Sequence, residues 1–189
     1  MRISAGEYRG QRLAGPGRAG IRPLRDRVRL ALFDTVRELV PGARFLDLFA
    51  GTGAVGLEAL SRGASQAVLV DGSPQAVRLI RENIRRLGCG GRVEVLQGDA
   101  VVVLRALARR EEEFDLVYVG APYGSSLAVR TVEALAKLRP LAPGAMVVAE
   151  TFHKEPIADR YGPLALEVRR TYGETVLSFF RFVSEEGGG

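Results

Sequence analysis

The sequence predicts an α/β fold: a doubly wound, mostly parallel sheet of seven strands that ends in an antiparallel hairpin and carries a small basic N-terminal extension. Three observations predict it. Apolar runs of strand length alternate with helix-length segments through the middle of the chain, the pattern of βαβ units. The run Phe45-Leu46-Asp47-Leu48-Phe49-Ala50 leads into Gly51-Thr52-Gly53-Ala54-Val55-Gly56, an acid and a glycine-rich turn between strand and helix. Near the C-terminus two extended apolar-rich runs have only Tyr172-Gly173-Glu174 between them, which leaves no room for a helix and makes them a hairpin.

In chain order, residues 1–24 are rich in Gly, Arg and Pro with apolar islands at Ile3 and Leu13, and read as a basic arm or small hairpin. In residues 25–39, Val28, Ala31, Leu32, Val36 and Leu39 share a helical stripe, which Pro41-Gly42 stops. Strands are expected at 43–48, 66–71, 92–97, 114–119 and 144–151, and helices at 54–62, 74–87, 100–110 and 127–138. Ser73-Pro74 reads as an N-cap followed by proline in the first helical turn. The hairpin strands are 164–171 and 175–183. The chain thus divides into the arm, a main domain over 25–186, and the tail 187–189, expected to be disordered.

A chain of 189 residues suits one well-buried core. No apolar run approaches the roughly 18 residues of a membrane span, and Met1-Arg2-Ile3-Ser4 begins no signal core. A cytoplasmic protein without a membrane role is expected, with a monomer favoured. The single Cys89 precludes an internal disulfide, and with the single His153, expected in an exposed loop, it argues against a zinc site. Residues 1–40 hold nine arginines against four acids, while the rest of the chain is balanced, so the whole net charge of +5 sits in the first fifth. Concentrated arginine suits a polyanion, because its planar fork matches phosphate and base edges.

Gly51 to Gly56 spells G-x-G-x-x-G, and Asp71, ending the next strand, follows Gly51 by 20 residues. This spacing fits an adenosine-like ligand: the glycines let backbone approach it, and the acid accepts from ribose hydroxyls. The spacing alone leaves NAD open. Two details favour S-adenosylmethionine. Asp47, at the strand end, would repel a pyrophosphate but attract a cationic methionine moiety. Asp99 ends a third strand and can accept from an adenine amine, although an acid there also serves as a helix N-cap. The expected cofactor contacts are Asp47, Phe49, Ala50, Gly51, Thr52 and Gly53, then Asp71, Gly72 and Ser73, then Asp99 and Ala100.

With these residues the chain resembles the class I S-adenosylmethionine-dependent methyltransferases, whose sheet is Rossmann-like, and more narrowly the bacterial small-subunit (16S) ribosomal RNA guanine-N2 methyltransferase family. The resemblance runs over nearly the whole chain: Arg2-Ile3 with Arg9-Gly10 and Leu13, Arg22-Pro23-Leu24-Arg25-Asp26-Arg27, Asp47 to Gly63, and Tyr172-Gly173-Glu174-Thr175. It implies methyl transfer to a guanine N2 in ribosomal RNA or an assembling small subunit, without a metal. The arginines expected to hold RNA are Arg2, Arg9, Arg12, Arg18, Arg22, Arg25 and Arg27.

At one place the resemblance fails. Such enzymes carry Asp-Pro-Pro-Tyr, or Asn in the first place, after the fourth strand, where this chain has Gly120-Ala121-Pro122-Tyr123. These four residues are the expected catalytic loop. Tyr123 can stack on the base and the carbonyls of Gly120 and Ala121 can accept, but the side-chain acceptor is absent. Restoring it with Gly120→Asp is expected to preserve or raise activity. A non-catalytic cofactor- and RNA-binding assembly factor remains the rival reading, and an NAD-dependent oxidoreductase a weaker one.

Overall fold

A computed structural model describes residues 1–15 and 24–183; Arg18, Arg22 and the tail 187–189 lie outside the described residues. The elements run α1 (Asp26–Thr35), β1 (Arg44–Asp47), α2 (Ala54–Ser61), β2 (Gln66–Asp71), α3 (Pro74–Leu87), β3 (Val93–Gln97), α4 (Ala100–Arg109), β4 (Phe114–Val119), α5 (Leu127–Leu138), β5 (Leu141–Phe152), β6 (Arg160–Tyr161), β7 (Leu164–Tyr172) and β8 (Thr175–Phe182). Short 3₁₀ turns cover Arg37–Leu39 and Gly90–Arg92.

Their boundaries follow from local chemistry. Ser73 caps α3 by accepting from the Ala76 N–H at 3.3 Å, Pro74 opens the helix, and Gly88 closes it at φ +67°. Asp99 caps α4 through the N–H groups of Val101 and Val102. α1 stops at Thr35, short of the expected residue 39. The Thr35 hydroxyl donates back to the Ala31 carbonyl at 2.9 Å, and the chain continues as the 3₁₀ turn.

Among the described residues the sheet has eight strands, not seven, in the order β3-β2-β1-β4-β5-β8-β7-β6. The first five strands in chain order are mutually parallel where they pair, and β8, β7 and β6 are antiparallel. The added strand, β6, has two residues and pairs back on β7 across Gly162-Pro163, too short to leave a periodic signal. β5 begins at Leu141, ahead of the expected 144, because Leu141 already pairs with Phe114 before the register shifts around Pro143-Gly144. Gly173, at φ +62°, makes the tight β7–β8 turn.

Two apolar layers sandwich the sheet. One face packs Phe45, Leu69, Leu116, Val148 and Phe179 under α1, α2 and α3. The other packs Leu46, Val70, Val117, Val147 and Phe180 under α4 and α5. The N-terminal arm belongs to the first layer. Ile3, Tyr8 and Leu13 are buried in it, and Arg2 and Arg12 form an antiparallel bridge. A Cβ on Gly6 would stand 1.6 Å from the Ser61 carbonyl oxygen, so only glycine lets the arm lie this close to α2. The strand order reverses between β1 and β4, and the carboxyl ends of those strands form the crevice where open α/β sheets bind ligands.

Candidate active site

The residues around that crevice come from the carboxyl-end regions of the five parallel strands. Gly51 (φ +57°) and Gly53 (φ +79°) turn the chain after β1. The Ala50 N–H reaches the Val70 carbonyl at 2.9 Å and the Gly53 N–H the Ala50 carbonyl at 2.7 Å. Gly56 serves packing instead, since a Cβ there would stand 2.2 Å from Leu69 Cδ2 and glycine is what allows α2 to lie on β2. Asn83, fully buried on α3, donates to the Thr52 carbonyl at 2.9 Å and exchanges hydrogen bonds with Ala14 of the arm at 2.7 and 3.2 Å. One amide therefore ties the glycine loop to the arm. Sequence reasoning missed it, because its partners are 31 and 69 residues away.

Asp47 is 1% exposed, and neither carboxylate oxygen has a hydrogen-bond partner among the described residues. Burial raises its pKa to about 7; the nearby N–H dipoles of Phe49 and Gly56 oppose the shift without closing a hydrogen bond, and the charges of Asp71 and Glu150 add to it. Asp71 bridges the two loops, accepting from the Gly51 N–H with one oxygen and the Ser73 N–H with the other, both at 2.8 Å. Each oxygen keeps a lone pair for a ligand. Asp99 is exposed, and its Oδ1 caps α4 at 3.0 and 3.1 Å. The capping role is thus realised, and Oδ2 is left for anything else. Gly72 is exposed and Ser73 half-buried beside Asp71, while Ala100 is buried at the start of α4. The structure brings Asp47, Phe49, Ala50, Gly51 and Thr52 into one cleft with Tyr118, Gly120 and Glu150.

The loop after β4 holds the other expected residues. Gly120 and Tyr123 are half-buried, Ala121 is buried and Pro122 is exposed. The Tyr123 hydroxyl donates to Glu150 Oε1 at 2.6 Å and lies 2.8 Å from the Thr175 hydroxyl. Its ring tilts against Phe152, centroids 5.8 Å apart. Glu155 pins the loop to the end of β5, accepting from the Gly124 N–H and from the Phe152 N–H at 2.8 Å. Position 120 has no room for a side chain. A Cβ there would stand 2.7 Å from Tyr118 Cε1, and the Tyr118 hydroxyl is itself bonded to Glu150. The expectation that Gly120→Asp alone preserves activity is therefore corrected: the acid would collide with a buried ring.

The arginines sort into two groups. Arg2, Arg9, Arg12, Arg25 and Arg27 are exposed, with the Arg2 guanidinium donating to the Gly10 carbonyl at 2.9 Å. Arg29 is buried; it pairs with Asp26 at 3.0 Å and lies 3.6 Å from Glu58. Further arginines went unnoticed in the sequence: Arg78, Arg81 and Arg85, on α3, line with Gly15 an open cleft of about 470 Å³. This cleft is larger than the one at the strand ends, but its three guanidinium groups against one carboxylate, Glu82, suit a polyanion and not an adenosine. His153 is exposed in a turn, as expected. Among the described residues no group of three or more His, Cys, Asp or Glu could hold a metal ion, and no helix is long and apolar enough to cross a membrane.

The family model described as "Conserved hypothetical protein 95" matches residues 1–181. The chain belongs to this family. Among similar proteins, the ribosomal RNA small subunit methyltransferase D of Escherichia coli K12 is 34% identical over 151 residues, 80% of this chain and 74% of the relative. A solved structure of a hypothetical protein from Thermus thermophilus is 36% identical and superposes with a TM-score of 0.83 over 95% of this chain and 98% of that one. An RNA methyltransferase from Salinibacter ruber, solved with S-adenosyl-L-homocysteine, shares the fold at 18% identity, with a TM-score of 0.68 over 89% of this chain and 98% of that one.

Proposed function

We propose that this family member transfers a methyl group from S-adenosylmethionine to the exocyclic N2 of a guanine in small-subunit ribosomal RNA. The observation that carries the reading is Asp47, a buried carboxylate with no partner of its own at the crevice. An orphaned acid of this kind suits a cationic ligand and opposes a pyrophosphate. The family membership and its relative named for small-subunit ribosomal RNA methylation support the reaction and the substrate.

The donor set fits the cofactor. Asp47 balances its positive charge, Asp71 accepts from its ribose hydroxyls with the lone pairs its backbone bonds leave, and Asp99 Oδ2 accepts from its adenine amine. Phe49, Ala50, Gly51, Thr52 and Gly53 wall the site, with Gly72, Ser73 and Ala100 toward the adenosine end. The cofactor supplies an already activated methyl group, so the protein's work is orientation and exclusion of water. Tyr123, its hydroxyl held by Glu150, stacks on the target base, and the carbonyls of Gly120 and Ala121 accept from its amine. Arg2, Arg9, Arg12, Arg25 and Arg27, with Arg18 and Arg22, hold the surrounding phosphates. The target guanine is unpaired or flipped, because a duplex keeps its N2 in the groove.

The test is transfer of tritiated methyl to small-subunit RNA and particles from cells lacking the protein, followed by mass mapping of the product. A single N2-methylguanosine is expected. Tight binding of cofactor and RNA without incorporation would favour the assembly-factor reading, which the missing side chain at Gly120 motivates.

A further inference from the structure

A carboxylate on the neighbouring strand, Glu150, lines the same cleft as Gly120. β4 and β5 are parallel, with Val119 beside Ala149, so the next positions along each strand are Gly120 and Glu150. Side chains alternate between faces, which puts Asp47, Tyr118 and Glu150 on one face of the sheet: Asp47 is the register partner of Tyr118, and Tyr118 that of Val148, two residues before Glu150. All three, with Gly120, line one cleft. The space that a side chain at 120 would take is filled by the Tyr118 ring.

Glu150 is held as a working group would be. Its Oε2 accepts from the Tyr118 hydroxyl, and its Oε1 accepts from the Tyr123 hydroxyl at 2.6 Å. The Thr175 hydroxyl, 2.8 Å from the Tyr123 oxygen, completes the chain by donating to it. Burial and the adjacent Glu150 charge hold the Tyr118 phenol well above its usual range, so it remains a donor at neutral pH. Each carboxylate oxygen has then used one lone pair and keeps another.

We propose that Glu150 is the side-chain acceptor for the N–H of the substrate amine, standing in for the acid that position 120 lacks, and that Tyr118 and Tyr123 fix its orientation. The proposal rests on the methyl-transfer reading above. The amine's lone pair forms the new nitrogen–carbon bond, the electron pair of the broken sulfur–carbon bond stays on sulfur, and the nitrogen sheds one proton, which Glu150 takes and passes to water. Glu150 is thus a catalytic residue, and Tyr118 a positioning residue.

Glu150→Ala, Glu150→Gln and wild type are compared by single-turnover methyl transfer to unmethylated small-subunit RNA, by S-adenosylhomocysteine affinity, by melting temperature, and by phenolate absorbance against pH. Glu150→Ala should slow transfer at saturating RNA by about 10- to 100-fold, the value of a charge-assisted hydrogen bond, with cofactor affinity within about 3-fold of wild type. Glu150→Gln, which keeps an acceptor but cannot take the proton, should fall between. In both variants one buried tyrosine should ionise at lower pH than in wild type. If Glu150→Ala melts too low to assay, Glu150→Gln carries the comparison and should still transfer methyl more slowly than wild type at saturating RNA, with cofactor affinity within about 3-fold. Wild-type rate in Glu150→Ala, a loss of cofactor affinity that matches the loss of rate, or an unmoved tyrosine titration would each overturn the proposal. A wild-type protein that binds cofactor but methylates no RNA would instead overturn the reading on which it rests.

Discussion

A carboxyl group that is 1% exposed, unpartnered and titrating near pH 7 links stability to ligand binding. Asp47 has an ordinary value of 3.8 in the unfolded chain and about 7 when folded. Between those values the native state holds a proton that the unfolded state releases, so stability falls as pH rises through this window. Above it the penalty is constant, on the order of 4 kcal/mol for a shift of about three units. Asp47→Asn removes the charge and with it the penalty. In the ligand-free protein its melting temperature should exceed that of wild type by about 5 °C or more at about pH 8, with little difference near about pH 4. The same variant should bind S-adenosylmethionine about 10- to 100-fold more weakly, because the cationic ligand loses its counter-charge. Melting curves at the two pH values, with and without cofactor, check both halves. A pH-independent difference would mean that Asp47 is not the group that titrates.

At the scale of elements, α2 joins the glycine loop to the N-terminal arm through a carboxylate. Glu58 is fully buried and accepts from the Ser4 N–H at 2.9 Å, the Ala5 N–H at 3.2 Å and Arg62 Nε at 2.8 Å, with Arg29 at 3.6 Å. Glu58→Gln takes the carboxylate from Arg62 and leaves Arg29 to its pair with the exposed Asp26, and should cost about 1.5–3 kcal/mol, the worth of a hydrogen bond to a charged group. Denaturant unfolding should show that loss, while cofactor affinity measured in the cold stays near wild type; an unchanged midpoint would mean the arm is held by its apolar contacts alone. The sequence disclosed the parts of this architecture that repeat or punctuate: the strand–helix alternation, the Ser73-Pro74 cap, the Gly173 turn, the acids ending β1 and β2, and Asp99 as the cap of α4 two residues past β3. Even the Arg29–Asp26 pair follows from i, i+3 spacing. It could not disclose Asn83, Glu150 or the hold of Glu58 on the arm, which depend on partners 27 to 69 residues away. Nor could it show that Tyr118 fills the space beside Gly120. That is a rotamer choice made by a hydrogen bond across two strands.

Across the whole molecule the charge forms a surface that the linear count only half describes. The excess of residues 1–40 is real, but Arg29 spends its charge inside the fold. The described part of the arm ends at Gly15, which lines the cleft of Arg78, Arg81 and Arg85, while Asn83 on the buried side of the same helix fastens Ala14. The arm and α3 therefore meet at one cleft, with Gly15 on one side and the three arginines on the other. Truncating the arm would remove Ile3, Tyr8 and Leu13 from the core and so measure folding. Charge removal in place is the cleaner test. Arg78→Gln with Arg81→Gln and Arg85→Gln should weaken RNA binding about equally for all sequences, and flatten the dependence of log affinity on log salt by roughly 0.7–0.9 for each phosphate no longer neutralised. Cofactor affinity should stay unchanged, since none of the three lines the crevice. Titrations of small-subunit RNA at several salt concentrations read the slope directly. A slope equal to wild type would confine the RNA surface to the arm and the start of α1, and the cleft on α3 would then be solvated surface.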